Sequence, residues 1–453
     1  MTRGANRKTR GPGRRLLEIG KDLLIAALVL VNLTLAIMCL PSKTLTQTKW
    51  LAGALRSFAG LFGLNEAELT YTAPATGSTI VGAAQPLIIT LSTEAGRQSA
   101  QYDFAALDEL YGQYGSLLAQ ALESAETPQT CTRTEFYAAL RGTGAAFCFP
   151  GAISPSVLGA WLNVRAPEGG QAQWYVLAQE EDGVTLYLAG EQFSAAKTAL
   201  PAQSLTAQLE TAVPDGSFFA FEAGQEPYAA LDGLSLISAQ SAQVSTGQSA
   251  NPCDARFISA LASQIGINPY GDARFVDNDG TTSFTETNLT LRNRVTVGQE
   301  LEVLSPGQPV RRFTCGRLYN LDQEAYASTG NRNGERDRIE AARSLLSSLT
   351  GDDYGDARVY LQSYTADGTQ AVCTFGYYLS GVEAAAGSGI EIRFDGTQIT
   401  RASVLYRRFT LDLQPAALLP AAQAAACLPR GGTLRLLYAE NAGGELAVGW
   451  QTN

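Results

Sequence analysis

Hydrophobic residues fall along this chain in three rhythms. The first is a single uncharged block of 18 residues, Leu23–Leu40, "LLIAALVLVNLTLAIMCL". The second is a three- and four-residue step. In "DFAALDELYGQYGSLLAQALESA", Phe104, Leu107, Tyr111, Tyr114, Leu118 and Leu122 fall on one helical face, with Asp103 placed to cap it. "SPSVLGAWL" predicts a helix with Ser154 as cap and Pro155 in its first turn. "DARFISALASQIG" predicts another, with Phe257, Leu261 and Ile265 on its apolar face and Gly266 past its end. In "ERDRIEAARSLLSSL" the buried stripe is Ile339, Ala342, Leu346 and Leu349, with Arg336, Arg338 and Arg343 off it.

The third rhythm is strand-like. "PLIITL", "ARFVDNDGTTSFTET", "LTLRNRVTV", "TLRLLYAE" and "ELAVGW" predict strands. Asp-Gly pairs at Asp182-Gly183, Asp367-Gly368 and Asp395-Gly396 predict three hairpin turns between apolar runs. In the last, Ile390, Ile392 and Phe394 alternate with Glu391 and Arg393, as in an antiparallel sheet with one dry face. The fold class expected is therefore α+β, antiparallel sheets packed by helices. Ser238–Pro252, "SAQSAQVSTGQSANP", lacks charge and hydrophobic period and reads as a linker. The expected order is a basic tail (1–22), a transmembrane anchor (23–40), a membrane-proximal stalk (41–80), and two α+β extracytoplasmic domains (81–237 and 253–453) around the linker (238–252).

The anchor reading follows from length and flanks. Eighteen helical residues cover roughly 27 Å, near the thickness of a hydrocarbon core. No small-x-small site precedes Pro41, so a cleaved signal peptide does not fit, and Met38 before Cys39 does not fit a lipoprotein signal. Residues 1–22 carry seven Lys and Arg against three in residues 41–60, which places the N-terminus in the cytoplasm and the bulk of the chain outside. "WLAGALRSFAGLFGL", from Trp50, reads as a segment resting at the outer interface or as a short helix packed on the exterior domains. Within the anchor, Asn32 and Thr34 are the polar side chains at mid-depth and the candidate contacts to a neighbouring helix.

Charge narrows the partners. The chain has 33 Lys and Arg against 43 Asp and Glu; without the tail it has 26 against 41, a net of −15. Such a surface repels nucleic acid, which is not expected as a partner. Six of the seven cysteines (Cys131, Cys148, Cys253, Cys315, Cys373 and Cys427) lie beyond the anchor. They are candidate disulfide cysteines of undetermined pairing, or buried thiols acting as small apolar residues. None has C-x-x-C spacing.

The chain has no histidine, which excludes Ser-His-Asp and Cys-His catalysis and histidine-ligated zinc. Three motifs deserve weighing. Ser194-Ala195-Ala196-Lys197 has the S-x-x-K form of penicillin-binding enzymes, in which one helical turn brings the amine to the hydroxyl. No K-T-G accompanies it, and the plain reading is an ordinary helix start. Asp277-Asn278-Asp279-Gly280, with Glu286, matches a calcium loop in part, but a hairpin turn is the simpler account. Glu180-Glu181-Asp182 reads as a solvated turn tip. No catalytic residue, metal site or cofactor is expected.

Four stretches, "AAQPLIITLSTEAGRQSAQYD", "AAFCFPGAISPSVLGAWL", "RFVDNDGTTSFTETNLTLR" and "FGYYLSGVEAAAGSGIEIRFDGTQITRASVLYRRF", follow the anchor in an order that resembles the YycH/YycI family. By length the chain is similar to the YycH-like member, and its C-terminal segment resembles the part both share. The resemblance implies a non-enzymatic, single-pass membrane protein that modulates a cell-wall sensor histidine kinase, with that kinase and a paralogous membrane-anchored regulator as partners. An extracytoplasmic peptide- or glycan-binding module is the alternative, and a cell-wall enzyme using Ser194 and Lys197 is a third.

Overall fold

The runs richest in apolar residues form the centres of two sheets. A computed structural model describes residues 84–453, except 225–227, 229–230, 239–241, 265–267, 269, 271–273, 277, 279–281, 287–288, 295–299, 305–333, 385–388, 397, 428–433, 442 and 453. All described residues fall in one compact unit, a mixed α+β fold with eight helices among them. The stretches 1–80 and Cys315 lie outside the described residues, and with them the expected anchor, Asn32, Thr34, Cys39 and the stalk. Among the described residues no helix is long and apolar enough to cross a membrane.

In chain order the first half runs β1 (Ile88–Thr93), β2 (Gly96–Gln101), α1 (Phe104–Ser124), β3 (Gln129–Thr130), α2 (Arg133–Arg141), β4 (Gly144–Ile153), α3 (Pro155–Trp161), β5 (Ala172–Glu180), β6 (Gly183–Gly190), β7 (Phe193–Lys197) and α4 (Ala202–Leu209). Its seven strands form one antiparallel sheet in the order β2-β1-β4-β5-β6-β7-β3. Asp103 caps α1 by accepting from the amides of Ala105 and Ala106, and Ser154 caps α3 by accepting from that of Val157, as their sequences predict. Helices cover both faces. Trp174, Val176 and Ala178 of β5 join a core with Phe136 and Leu140 of α2. The alternate residues face the other way, where Phe147 of β4 meets Tyr111 of α1 edge-on. Burial on both faces is why β4, "GAAFCFPGAI", is apolar without alternation.

A ribbon and a second sheet follow: β8 (Phe218–Phe219), α5 (Ala220–Ala223), β9 (Leu236–Ile237), β10 (Ser245–Ala250), α6 (Ala255–Gln264), β11 (Arg274–Val276), β12 (Thr282–Glu286), β13 (Leu289–Arg294), β14 (Glu300–Leu304), α7 (Glu335–Thr350), β15 (Arg358–Asp367), β16 (Gln370–Leu379), β17 (Val382–Ala384), β18 (Ile390–Asp395), β19 (Gln398–Leu405), β20 (Arg408–Pro415), α8 (Ala421–Ala426), β21 (Leu434–Glu440) and β22 (Glu445–Thr452). Thirteen strands make one sheet in the order β11-β12-β13-β14-β19-β18-β16-β17-β21-β22-β10-β20, with β15 also on β16. The strand pairs are antiparallel except β17 with β21. Ile390, Ile392 and Phe394 are buried as their alternation predicts, and so is the α7 stripe Ile339, Ala342, Leu346 and Leu349.

Two readings are corrected here. The expected linker contains β10, which pairs with both β20 and β22. Backbone pairing on both sides holds a strand whose side chains are small and polar. Arg338 is not off the buried stripe of α7; it is only 3% exposed. Its guanidinium donates to the carbonyls of Gly396 and Thr369 and to the Tyr364 hydroxyl, so two hairpin turns supply the acceptors that burial demands.

The two halves meet through paired irregularities. β4 has a bulge between Cys148 and Ile153, and β15 one between Leu361 and Ser363. There Gly151 lies against Gln362 so closely that a Cβ would sit 2.3 Å from the Gln362 carbonyl oxygen. Beside this contact Arg358 makes a two-pronged ion pair with Asp108 of α1, at 2.8 and 2.7 Å, and stacks 4.0 Å from the centre of the Phe104 ring. Trp161 of α3 donates to Glu340 of α7, which also pairs with Arg343.

Candidate functional site

The sequence motifs do not converge. Ser194 and Lys197 lie on the strand β7, not at a helix start. Three residues apart on a strand, their side chains project from opposite faces. The Lys197 amine is exposed and stands 3.9 Å from the Asp182 carboxylate. The helical turn that would bring amine to hydroxyl is absent, because Thr130 and Leu188 pair with Ser194 on either side.

The carboxylates at Glu180-Glu181-Asp182 are exposed at the β5–β6 turn, as expected. Glu180 accepts from the hydroxyls of Thr185 and Tyr187. β11 and β12 pair as a hairpin around 277–281, and Asp277 and Asp279 lie outside the described residues. Among the described residues no group of three or more Cys, Asp or Glu side chains is placed to hold a metal ion.

The five described cysteines are free thiols. Cys148, Cys253 and Cys373 are buried, Cys131 is half-buried and Cys427 is exposed. Burial pushes the Cys253 thiol up to about 12 and those of Cys148 and Cys373 higher still, so all three stay protonated near neutrality. Such thiols pack as small apolar groups and are poor nucleophiles.

Buried charge serves the scaffold. Arg97, 8% exposed, binds Glu222 at 2.5 and 3.0 Å, Ser92, and the Leu140 carbonyl, and its guanidinium lies 4.7 Å from the centre of the Phe219 ring. Arg407 is likewise buried and pairs with Glu440.

A cleft of about 590 Å³ opens where the end of β2 meets the β8–β9 ribbon, α8 and β22. Its walls include the rings of Tyr102, Phe218, Tyr228 and Trp450. Trp450 stands edge-on to Tyr102, with 6.2 Å between ring centres, and donates to the Leu419 carbonyl. Tyr102 has φ of +60°, the left-handed region, unusual for a bulky residue. Burial of its hydroxyl pushes it up to about 12, against the opposing pull of a hydrogen bond to the Leu436 backbone. Among the described residues the charged members of the lining are Asp103 and Asp215, with no Lys or Arg.

Sequence reasoning reached Asp103 as a cap but not the cleft, since its walls come from segments more than 300 residues apart. No family model matches the chain, and neither a curated protein nor a solved structure does.

Proposed function

We propose that this chain is a non-enzymatic accessory protein of the cell membrane that modulates a two-component sensor histidine kinase controlling cell-wall metabolism. One helix over 23–40 would hold it, with the basic tail in the cytoplasm and the parts at 81–237 and 253–453 outside. The observation that carries this reading is the 18-residue uncharged run behind seven basic residues. Resemblance to the YycH/YycI family supports the kinase and a paralogous membrane-anchored regulator as partners. The use of buried arginines as internal ties supports a role in contact rather than chemistry.

The test is co-purification of the full chain with a sensor kinase from mild detergent. Asn32→Leu weakens the complex if the intramembrane amide takes part. An unchanged complex after the whole anchor is exchanged for an unrelated one would refute the intramembrane contact, and absence of any kinase from the purified material would refute the role. Exposure to a fluorescent penicillin leaves the protein unlabelled; labelling that Ser194→Ala abolishes would replace this reading with the enzymatic one.

A further inference from the structure

We infer that the cleft beside β2 takes an extended peptide in which basic and apolar side chains alternate. Side chains and main-chain groups of a strand alternate with a period of two. Arg97 and Ser99 turn their free main-chain groups away from β1, where the Asp215 amide donates to the Arg97 carbonyl and the Asp215 carboxylate accepts from the Ser99 amide. Gln101, two residues on, turns its own amide and carbonyl the same way, into the cleft. Among the described residues no strand pairs with β2 on that side, where the Gln101 side-chain amide donates to the Leu236 carbonyl. An added strand is the ligand geometry that satisfies such a pair.

The free edge is short, because Tyr102 turns the chain out of the strand at φ +60°. A bulky residue held there costs about 1–2 kcal/mol, and strain of this kind gathers at binding sites. One rung of backbone pairing gives little affinity, so the side-chain walls must supply the rest. Those walls are aromatic at Phe218, Tyr228 and Trp450, and Val213 and Leu419 remain 68% and 56% exposed beside them. The opposite requirement is charge. Among the described residues two aspartates and no Lys or Arg line the cleft, on an exterior that is itself strongly negative. Aromatic faces and carboxylates together favour a cation. Free backbone and apolar walls favour a peptide over a glycan.

This inference stands on the cleft, independently of the proposed kinase. The full chain is placed in nanodiscs of zwitterionic lipid. The probe is a fluorescein-labelled hexapeptide alternating lysine and leucine, read by anisotropy against empty nanodiscs. Saturable binding is expected, and the same peptide with glutamate for lysine does not bind. Asp103→Asn keeps the α1 cap, since asparagine caps as well as aspartate, and weakens binding about threefold. Trp450→Leu weakens it about tenfold. Asp356→Asn, outside the cleft lining and bonded to β20, leaves it unchanged. Unfolding midpoints equal to the parent's show that the first two variants are folded, and Asp103→Asn alone suffices if Trp450→Leu is not. Equal binding of the two peptides, or binding untouched by Asp103→Asn and Trp450→Leu, would overturn the inference. So would binding of a labelled chitin tetrasaccharide with the lysine peptide silent.

Discussion

The outer strand of the first sheet, β2, and an outer strand of the second, β20, are closed by the same small device. On β2 the Asp215 amide donates to the Arg97 carbonyl at 2.8 Å, and the Asp215 carboxylate accepts from the Ser99 amide at 2.7 Å. On β20 the Asp356 amide donates to the Phe409 carbonyl at 2.9 Å, and the Asp356 carboxylate accepts from the Leu411 amide at 2.8 Å. In each case one aspartate stands in for a neighbouring strand over one rung. Each has a glycine beside it at positive φ, Gly216 at 78° and Gly355 at 67°. Each strand also sends an arginine to the segment that closes it, Arg97 to Glu222 and Arg408 to Asp353. Unpaired strand edges invite pairing with other chains, and both sheets meet that hazard alike.

The two copies differ in burial. Arg97 and Glu222 are 8% and 19% exposed, and Asp215 also accepts from the Ser99 hydroxyl and the Ser217 amide. Arg408 and Asp353 are 57% and 56% exposed at 3.4 Å, and Asp356 is exposed. The same hydrogen bonds are therefore half-buried in one sheet and exposed in the other. Water can replace the second set but is largely shut out from the Arg97–Glu222 pair of the first.

The largest expected contrast is between the arginines. Arg97→Ala leaves Glu222 mostly buried without its partner and should cost about 3 kcal/mol. Arg408→Ala removes an exposed pair and should cost below about 1 kcal/mol. Urea midpoints at constant slope measure both. Equal losses would show that burial does not separate the two edges.

The aspartates come next. Asp215→Ala strands two backbone amides and should cost about 2 kcal/mol, whereas Asp356→Ala should cost at most about 1 kcal/mol. Both variants reopen an edge, so both should self-associate more readily in light scattering at high concentration. A monodisperse Asp356→Ala variant would mean that its aspartate does not guard the strand.

Neither device was legible beforehand, and the reason is distance along the chain. Asp215 lies 116 residues from Ser99 and Asp356 lies 55 from Leu411. What could be read was local. The α1 and α3 caps, the period of α7 and the Asp-Gly hairpins each depend on neighbours within a few residues. Thr132-x-x-Glu135 is such a signal too: it forms a full capping box on α2, and it could have located that helix. β10 could not be found this way, because only its neighbours β20 and β22 make it a strand. Arg338 and Lys197 show the same limit for charge. One is buried because turn carbonyls face it, and the other is stranded by a register its motif does not encode. The cleft combines both cases, since Asp103 is local and Trp450 is not.

The smallest effect concerns buried thiols, one central to each sheet. Cys148 lies in β4 and Cys373 in β16, 6% and 0% exposed. Burial raises both well above the ordinary thiol range, so the folded chain keeps protons that the unfolded chain gives up. Their contribution is full below the unfolded value of about 8.5 and declines as pH rises through it. At pH 8.5 the unfolded thiol is half ionised, and each site should lose roughly a few tenths of a kcal/mol relative to pH 7. Cys373→Ala and Cys148→Ala should each flatten the fall in unfolding midpoint between pH 7 and 9. The two should flatten it alike, because both thiols are shut away from water whatever the exposure of the edges around them. If only Cys373→Ala did so, the 6% exposure of Cys148 would let its thiolate reach solvent, and the difference in burial between the sheets would extend from their edges to their centres.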